Sequence, residues 1–319
     1  MDDRILTAAI VVLGVPAALV GYIVLVEAAL RPFGTRTAQR IRPWLWLAPA
    51  LALLVVFLVY PTLDTVRRSF MDRFSEDFVG LANYIYFFTD QGTLISLRNN
   101  VLWLIFLTFG SVGLGLLLAV LVDRVRYETL VKSVIFLPMA MSFVAAGVIW
   151  RFMYDFRPQS GTLNAAVTST GADPIAWLST APLNTFALIT VAIWMQTGFA
   201  MVILSAGLKS ISTELLEAAR VDGANEWQVF RKIIFPLLLP TIAVISTTVI
   251  IIALKAFDIV YVMTNGNFET EVMANRMIKE LFNFGQFGRA SAVAVILFLA
   301  IIPVMLFNIK RFQEQEAIR

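Results

Sequence analysis

The stretch EAARVDGANEWQVFRKIIFP, residues 217–236, gathers Glu217, Arg220, Asp222, Glu226, Arg231 and Lys232 between two long runs that carry no charge. Lys255 and Asp258, three residues apart beside an apolar run, are the other charges that stand out. The chain has no histidine and no cysteine. Thiol chemistry, disulfides, histidine-ligated metals and histidine acid/base catalysis are therefore excluded. No G-x-x-x-x-G-K-[ST] loop occurs, so no nucleotide site of that kind is present. GSVGLGLLLA at 110–119 has glycines without the lysine and reads as a membrane helix whose small residues permit close packing. Without paired carboxylates inside the apolar runs there is no catalytic constellation, and the chain is expected not to be an enzyme.

These charges sit in a chain of 319 residues that is 59% hydrophobic and 15% charged, with a mean hydropathy of +0.80. That composition is expected of a polytopic membrane protein, all-α in class. The net charge of +3 carries no signal for nucleic acid. A helix crosses the bilayer core with ~20 apolar residues. Seven uncharged stretches approach or meet that length, at 5–26, 44–63, 101–122, 133–150, 184–208, 233–254 and 290–309. Helices are required because an isolated strand cannot satisfy its backbone in lipid. The fourth run is the shortest and is expected to continue past Arg151 into 152–156. The first could be a cleaved signal peptide, but its leading residues Met1-Asp2-Asp3-Arg4 are net acidic where such a peptide is basic, so it reads as retained.

Lysine and arginine favour cytoplasmic connections. With the N-terminus outside, the segments 31–43, 123–132, 209–232 and the tail from Lys310 are cytoplasmic and hold 14 basic residues, against 8 in the outer segments. This orientation places 217–236 and the C-terminus in the cytoplasm. Outside, 64–100 carries MDRFSEDFVGLANY, aromatics and acids suited to docking a protein or packing as an interfacial helix. Residues 160–183 read as a loop with a short helix.

Ser212 or Thr213 can cap a helix with acidic residues in its first turns, where the helix dipole favours them. Gly223 can end it in a left-handed conformation. Asn225 with Gln228 forms a capping-box variant for a second helix, and Pro236 and Pro240 can bend the helix that follows. The first helix, with Leu215, Ala218 and Ala219 beside charges, suits a shallow groove on a partner. The residues alone equally allow an amphipathic segment lying on lipid headgroups.

Glu217-Ala218-Ala219, then Gly223, then Ile233-Ile234-Phe235-Pro236 resembles the EAA loop of permease subunits of binding-protein-dependent ABC importers. The likeness extends through GLKSISTELLEAARVDGANEWQVFRKIIFPLLLP and KAFDIVYVMTNG into the last span, and is similar to the carbohydrate-uptake branch, maltose-permease-like, closest to alpha-glucoside permeases. It implies an N-terminal helix and linker at 1–43 and a six-helix permease domain at 44–319, with the coupling loop at about 209–236. It implies that Glu217, Ala218, Ala219, Asp222 and Gly223 meet an ATPase subunit, Glu217 pairing with a basic residue there. It implies that the chain binds no cofactor of its own and that ATP and Mg belong to two partner ATPase subunits. It also implies a second, different permease subunit and an extracytoplasmic sugar-binding protein, assembled in a bacterial or archaeal inner or plasma membrane.

The resemblance also places the sugar contacts on the helices flanking the loop. Trp194, Met195, Gln196 and Phe199 are candidates on span five. On span six this chain has Ala253 and Ala256 where the maltose pattern has asparagines, so either the sugar differs or the second permease supplies the site. Lys255 and Asp258 are expected on one face of span six, as functional charges or as a structural ion pair. Phe257 and Tyr261 read as packing or interfacial residues, Arg151 as interfacial, and Asn265-Gly266 as a turn. The implied substrate is an alpha-glucoside such as trehalose, maltose or sucrose, with glucosylglycerol as an alternative. An ion-driven secondary transporter would need carboxylates within the spans, and the seven runs hold none.

Overall fold

The computed structural model describes the backbone at 3–123 and 125–317 and side chains as far as 307, a few near the N-terminus excepted. The side chains of the acidic start at 1–3, of Arg124 and of the tail cations from Lys310, which entered the orientation reading, lie outside the described residues.

The apolar runs all became helices. In chain order these are α1 (Asp3–Leu30), α2 (Thr35–Leu54) and α3 (Tyr60–Arg68), the last two joined through a π turn at Val55–Val59. After them come α4 (Ala82–Thr89), α5 (Gln91–Val122), α6 (Glu128–Phe136), α7 (Phe143–Met153), α8 (Thr162–Ser169) and α9 (Leu183–Lys209). The polar interruption folds as α10 (Thr213–Val221) and α11 (Glu226–Val229), followed by α12 (Phe235–Leu254), α13 (Asp258–Met263), α14 (Met273–Ile278) and α15 (Phe287–Ala317). Among the described residues the only β feature is one antiparallel bridge, Met71–Phe78. Among the described residues six helices are long and apolar enough to cross a membrane, and a seventh crossing exists if the bent pair α6–α7 is counted as one.

That pair corrects the fourth predicted span. The chain turns by 98° between Ala140 and Phe143. Pro138 sits in a 3₁₀ turn at Leu137–Ala140, and Ser142 restarts the helix by accepting the Ala145 N–H at 3.1 Å. Proline removes a helix donor and serine offers a new cap. The helix then stops at Met153 rather than running on to 156. The third span is corrected in the other direction. Asp90 caps α5 by accepting the Thr93 N–H at 3.0 Å, so the helix starts about three turns before the first residue of the apolar run.

Contacts divide the chain into two compact units, Met1–Asp64 and Thr65–Arg319. The sequence division at 43/44 fell earlier because it followed the permease resemblance. The structure groups the second span with α1, where Tyr22 Oη donates to the Leu45 carbonyl, Tyr22 packs edge-on against Trp46, and Arg42 reaches Glu27 at 2.9 Å. The predicted short helix in 160–183 is α8. Asn164 anchors it, donating to the carbonyls of Asp155, Phe156 and Ile175.

In the second unit α9 is central, with α5, α6, α12 and α13 packed around it. Lipid tails are as apolar as leucine, so such helices cohere by close contact rather than by expelling water. Small residues make that contact. A Cβ on Gly115 of α5 would lie 3.0 Å from the Met201 backbone nitrogen of α9, and one on Gly198 of α9 would lie 2.7 Å from the Phe136 Cα. Neither neighbour is a side chain that can turn away. Gly198→Ala is therefore expected to lower stability by ~1–3 kcal/mol, read as a fall in melting temperature in detergent. Gly113→Ala, where an added Cβ meets nothing within 4 Å, should leave it unchanged or slightly raised.

Candidate functional site

The hairpin between α9 and α12 is built from its caps. Ser212 occupies the N-cap of α10, as expected, but its side chain makes no capping hydrogen bond. Gly223 ends the helix at φ +83°. Around it the Ala224 N–H donates to the Ala219 carbonyl and the Gly223 N–H to the Arg220 carbonyl, each at 3.0 Å. This is the paired closure that a left-handed residue permits. Asn225 and Gln228 form the predicted box: Asn225 Oδ1 accepts the Gln228 N–H at 2.8 Å, and Gln228 Oε1 accepts the Asn225 N–H at 2.9 Å. Arg220 Nε donates to Glu226 at 2.8 Å and ties α10 to α11. That pair holds the Arg220 guanidinium above its ordinary pKa. A π turn at Phe230–Ile234 then leads into α12, with Pro236 at its start.

The result is a rigid two-helix elbow with an outward face. No residue of α10 is buried. Glu217, Ala218, Asp222 and Gly223 are exposed and Ala219 is half-buried. Glu217, Ala218 and Val221 share one helical face, and Val221 is 87% exposed. Val221 thus stands open between Arg220 and Asp222 on an ordered helix.

One cluster unforeseen in the sequence braces this elbow. Glu128 at the start of α6 pairs with Lys132 and, at 2.6 Å, with Lys209 at the end of α9. Lys132 also reaches Ser205. The last turn of α9 is thus fastened to α6 immediately before α10 begins.

On α9, Met195 is 3% exposed and belongs to the core. Gln196 is 4% exposed, and its Oε1 is buried without a hydrogen-bond partner among the described residues. Trp194 and Phe199 are half-buried. Lys255 and Asp258 correct the sequence reading. They do not lie on one helical face, because α12 ends at Leu254 and α13 begins at Asp258, with Phe257 at φ −148°, ψ −62° between them. No ion pair joins them among the described residues. They open instead onto a cavity of about 240 Å³ shared with Phe143, Ile251, Ile252 and Phe257. No residue of α9 lines that cavity, so the structure does not bring the two candidate groups into one pocket.

The broken helix is held by residues that sequence reasoning missed. Asn100 of α5 donates from Nδ2 to the Leu254 carbonyl at 3.1 Å, and its Oδ1 accepts the Met273 N–H at 2.8 Å. One amide therefore satisfies the last carbonyl of α12 and the first N–H of α14. Beside it, Asn99 Nδ2 donates to the carbonyls of Glu269 and Glu271 at 2.6 and 2.8 Å. Asn265 and Gly266 turn at φ +52° and +71°, as their types predicted, and Lys279 closes the loop on Glu271 at 2.7 Å and on the Asn265 carbonyl at 2.6 Å. Arg276 pairs with buried Glu280 at 2.7 Å and with Asp90 at 3.3 Å, fastening α14 to the start of α5. Two adjacent asparagines at the edge of an apolar run were the only signal, and they read as a boundary.

Arg151 donates to the Val262 carbonyl at 3.4 Å, beside a larger cavity of about 530 Å³ that adjoins the start of α9. Asp155 lines it. The Arg157 backbone N–H, the Ser160 hydroxyl and the Arg157 guanidinium bring the Asp155 pKa down to about 2, which keeps it an anion at any physiological pH.

Helices of membrane length are thus interrupted by an ordered, outward-facing polar elbow. Family comparison names the class. Residues 111–316 match the family of binding-protein-dependent transport system inner membrane components, and the chain belongs to that family. It is 55% identical to an osmoprotective-compound uptake permease protein of Synechocystis, over 86% of this chain and 100% of that protein. It is 47% identical to the alpha-glucoside transport system permease protein of Rhizobium meliloti, over 86% of this chain and 83% of that protein. Its fold matches a bacterial ABC transporter involved in alginate import, with a TM-score of 0.75 over 88% of this chain and 99% of that one, at 23% identity. The chain is a multi-pass permease subunit, not an enzyme.

Proposed function

We propose that this chain carries a small sugar or sugar-like osmolyte, an alpha-glucoside disaccharide such as trehalose, maltose or sucrose, through the membrane of an ATP-driven importer. Glucosylglycerol is the alternative solute. The observation that carries the reading is the elbow: an ordered helix with Glu217, Ala218 and Val221 facing outward on a locked turn. Such a surface accepts an ATPase subunit in helix-in-groove fashion and passes its movement to α9 through Glu128 and to α12 through Arg220 and Glu226. Two ATPase subunits, a second permease subunit and an extracytoplasmic sugar-binding protein complete the machine. The N-terminus lies outside and the elbow in the cytoplasm. Transport of alpha-glucosides and osmoprotectants by the relatives named above supports the solute class. Reconstitution of the complete transporter in lipid, with ATPase activity measured against a disaccharide panel, tests it. Stimulation by at least one such solute and by no amino acid is the expected result. Uptake sensitive to a protonophore and indifferent to ATP would overturn it.

Gln196 is the candidate polar contact on α9. A buried acceptor without a partner costs about 1–3 kcal/mol. Gln196→Leu is therefore expected to raise the melting temperature while cutting uptake at least tenfold. Those opposite signs separate a substrate contact from a structural one.

A further inference from the structure

We propose that the 530 Å³ cavity at the end of α9 remote from α10 is a second sugar subsite, taken up before the sugar reaches the middle of α9. The proposal rests on the sugar reading above and adds a place and residues to it. Four observations carry it. First, size: the cavity falls within the ~300–1,000 Å³ usual for ligand pockets, and the 240 Å³ cavity at the helix break does not. Second, chemistry: Phe152, Tyr154, Phe156 and Trp177 line it together with Arg151 and Asp155. Apolar faces joined to a fork of donors and an anionic acceptor match the two sides of a pyranose, its C–H face and its hydroxyl edge.

Third, position: Tyr154 Oη donates to the Ala187 carbonyl at 3.2 Å, so the cavity lies by the first turns of α9. Lys209 at the other end of that helix is about 33 Å away at 1.5 Å per residue. Fourth, continuity: the rings form an unbroken ladder leading inward. Trp177 and Tyr154 have centroids 5.8 Å apart, Tyr154 and Trp150 5.3 Å, and Trp150 and Trp194 5.5 Å. Trp194 lies about 10 Å deeper along α9 than Ala187. At the middle of the ladder the Trp150 indole N–H is buried with no acceptor among the described residues, a donor that a passing hydroxyl would satisfy. Asn164 holds the outer rung in place, accepting the Trp177 indole N–H at 3.2 Å.

The test uses the complete transporter in lipid nanodiscs, with trehalose, sucrose, maltose and glucosylglycerol as probes. Binding is measured by saturation-transfer NMR without the binding protein, and uptake is measured with it. Trp177→Ala is expected to weaken binding at least tenfold and to raise the concentration of sugar-loaded binding protein needed for half-maximal uptake. Phe156→Ala, an exposed lining residue, should act in the same direction and stands in should Trp177→Ala fail to fold. Uptake of a probe by the wild type together with unchanged binding in both variants overturns the subsite alone. Failure of the wild type to transport any probe overturns the sugar reading and the subsite with it. Weakened docking of the binding protein, equal with and without sugar, assigns the cavity to a protein side chain and also overturns the subsite.

Discussion

Glu217→Lys is expected to abolish ATP-driven uptake, by roughly a hundredfold or more, in a protein that still inserts and folds. Glu217 lies in the middle of α10, exposed, one residue before Ala218 and four before Val221, on a face that none of the described residues buries. Arg220, the neighbouring cation, hydrogen-bonds to Glu226, and in the docking proposed above Glu217 answers a cation brought by the ATPase subunit. Reversing its charge places like against like in a desolvated groove, where the penalty far exceeds the loss of a surface pair. The helix itself is indifferent, because lysine is a good helix former and the cap at Gly223 is untouched. Uptake and ATPase activity in the reconstituted transporter, with co-purification of the ATPase subunits, check the result. Glu214→Lys, in the first turn, should cost far less. Wild-type uptake in Glu217→Lys would remove α10 as the place where the drive enters.

Asn100→Leu should be the most damaging substitution of its size in the second unit, costing ~2–5 kcal/mol. Asn100 is 3% exposed and its amide answers two backbone groups from different helices. Leucine fills the same volume and leaves the Leu254 carbonyl and the Met273 N–H buried without partners, each at about 1–3 kcal/mol. Asn100→Asp keeps the acceptor for Met273 and loses the donor for Leu254, so it should fall below wild type and, at neutral pH, also set a carboxylate against a carbonyl. Melting temperatures in detergent give the order. Because Asn100 joins α12 to α14 across the break, Asn100→Leu is also expected to slow uptake at temperatures where the protein remains folded. A melting temperature equal to wild type would show that the break is held elsewhere.

Local signals in the sequence determined much of this molecule. Helices follow from uncharged runs of membrane length, since backbone groups in lipid must bond within their own segment. The elbow was equally legible: Gly223 turns because it alone lacks the Cβ that the left-handed region penalises, and Asn225 with Gln228 cap each other over three residues. Those interactions close within a turn or two, so residue type and spacing suffice to find them.

Tertiary structure decided where two of those helices break and what holds them. Nothing between Lys255 and Asp258 marks the end of α12; that the helix can stop there depends on Asn100, 154 residues away, accepting the burden of the freed Leu254 carbonyl. The same is true of Glu128, which meets Lys209 only because α6 doubles back on α9, and of the ladder from Trp177 to Trp194, assembled from three separate segments. Apolar periodicity says that a segment is buried, whereas a polar group's partner is fixed by which backbone the fold brings within 3 Å of it. In this chain the elbow was therefore written locally, and the helix breaks and the aromatic ladder were not.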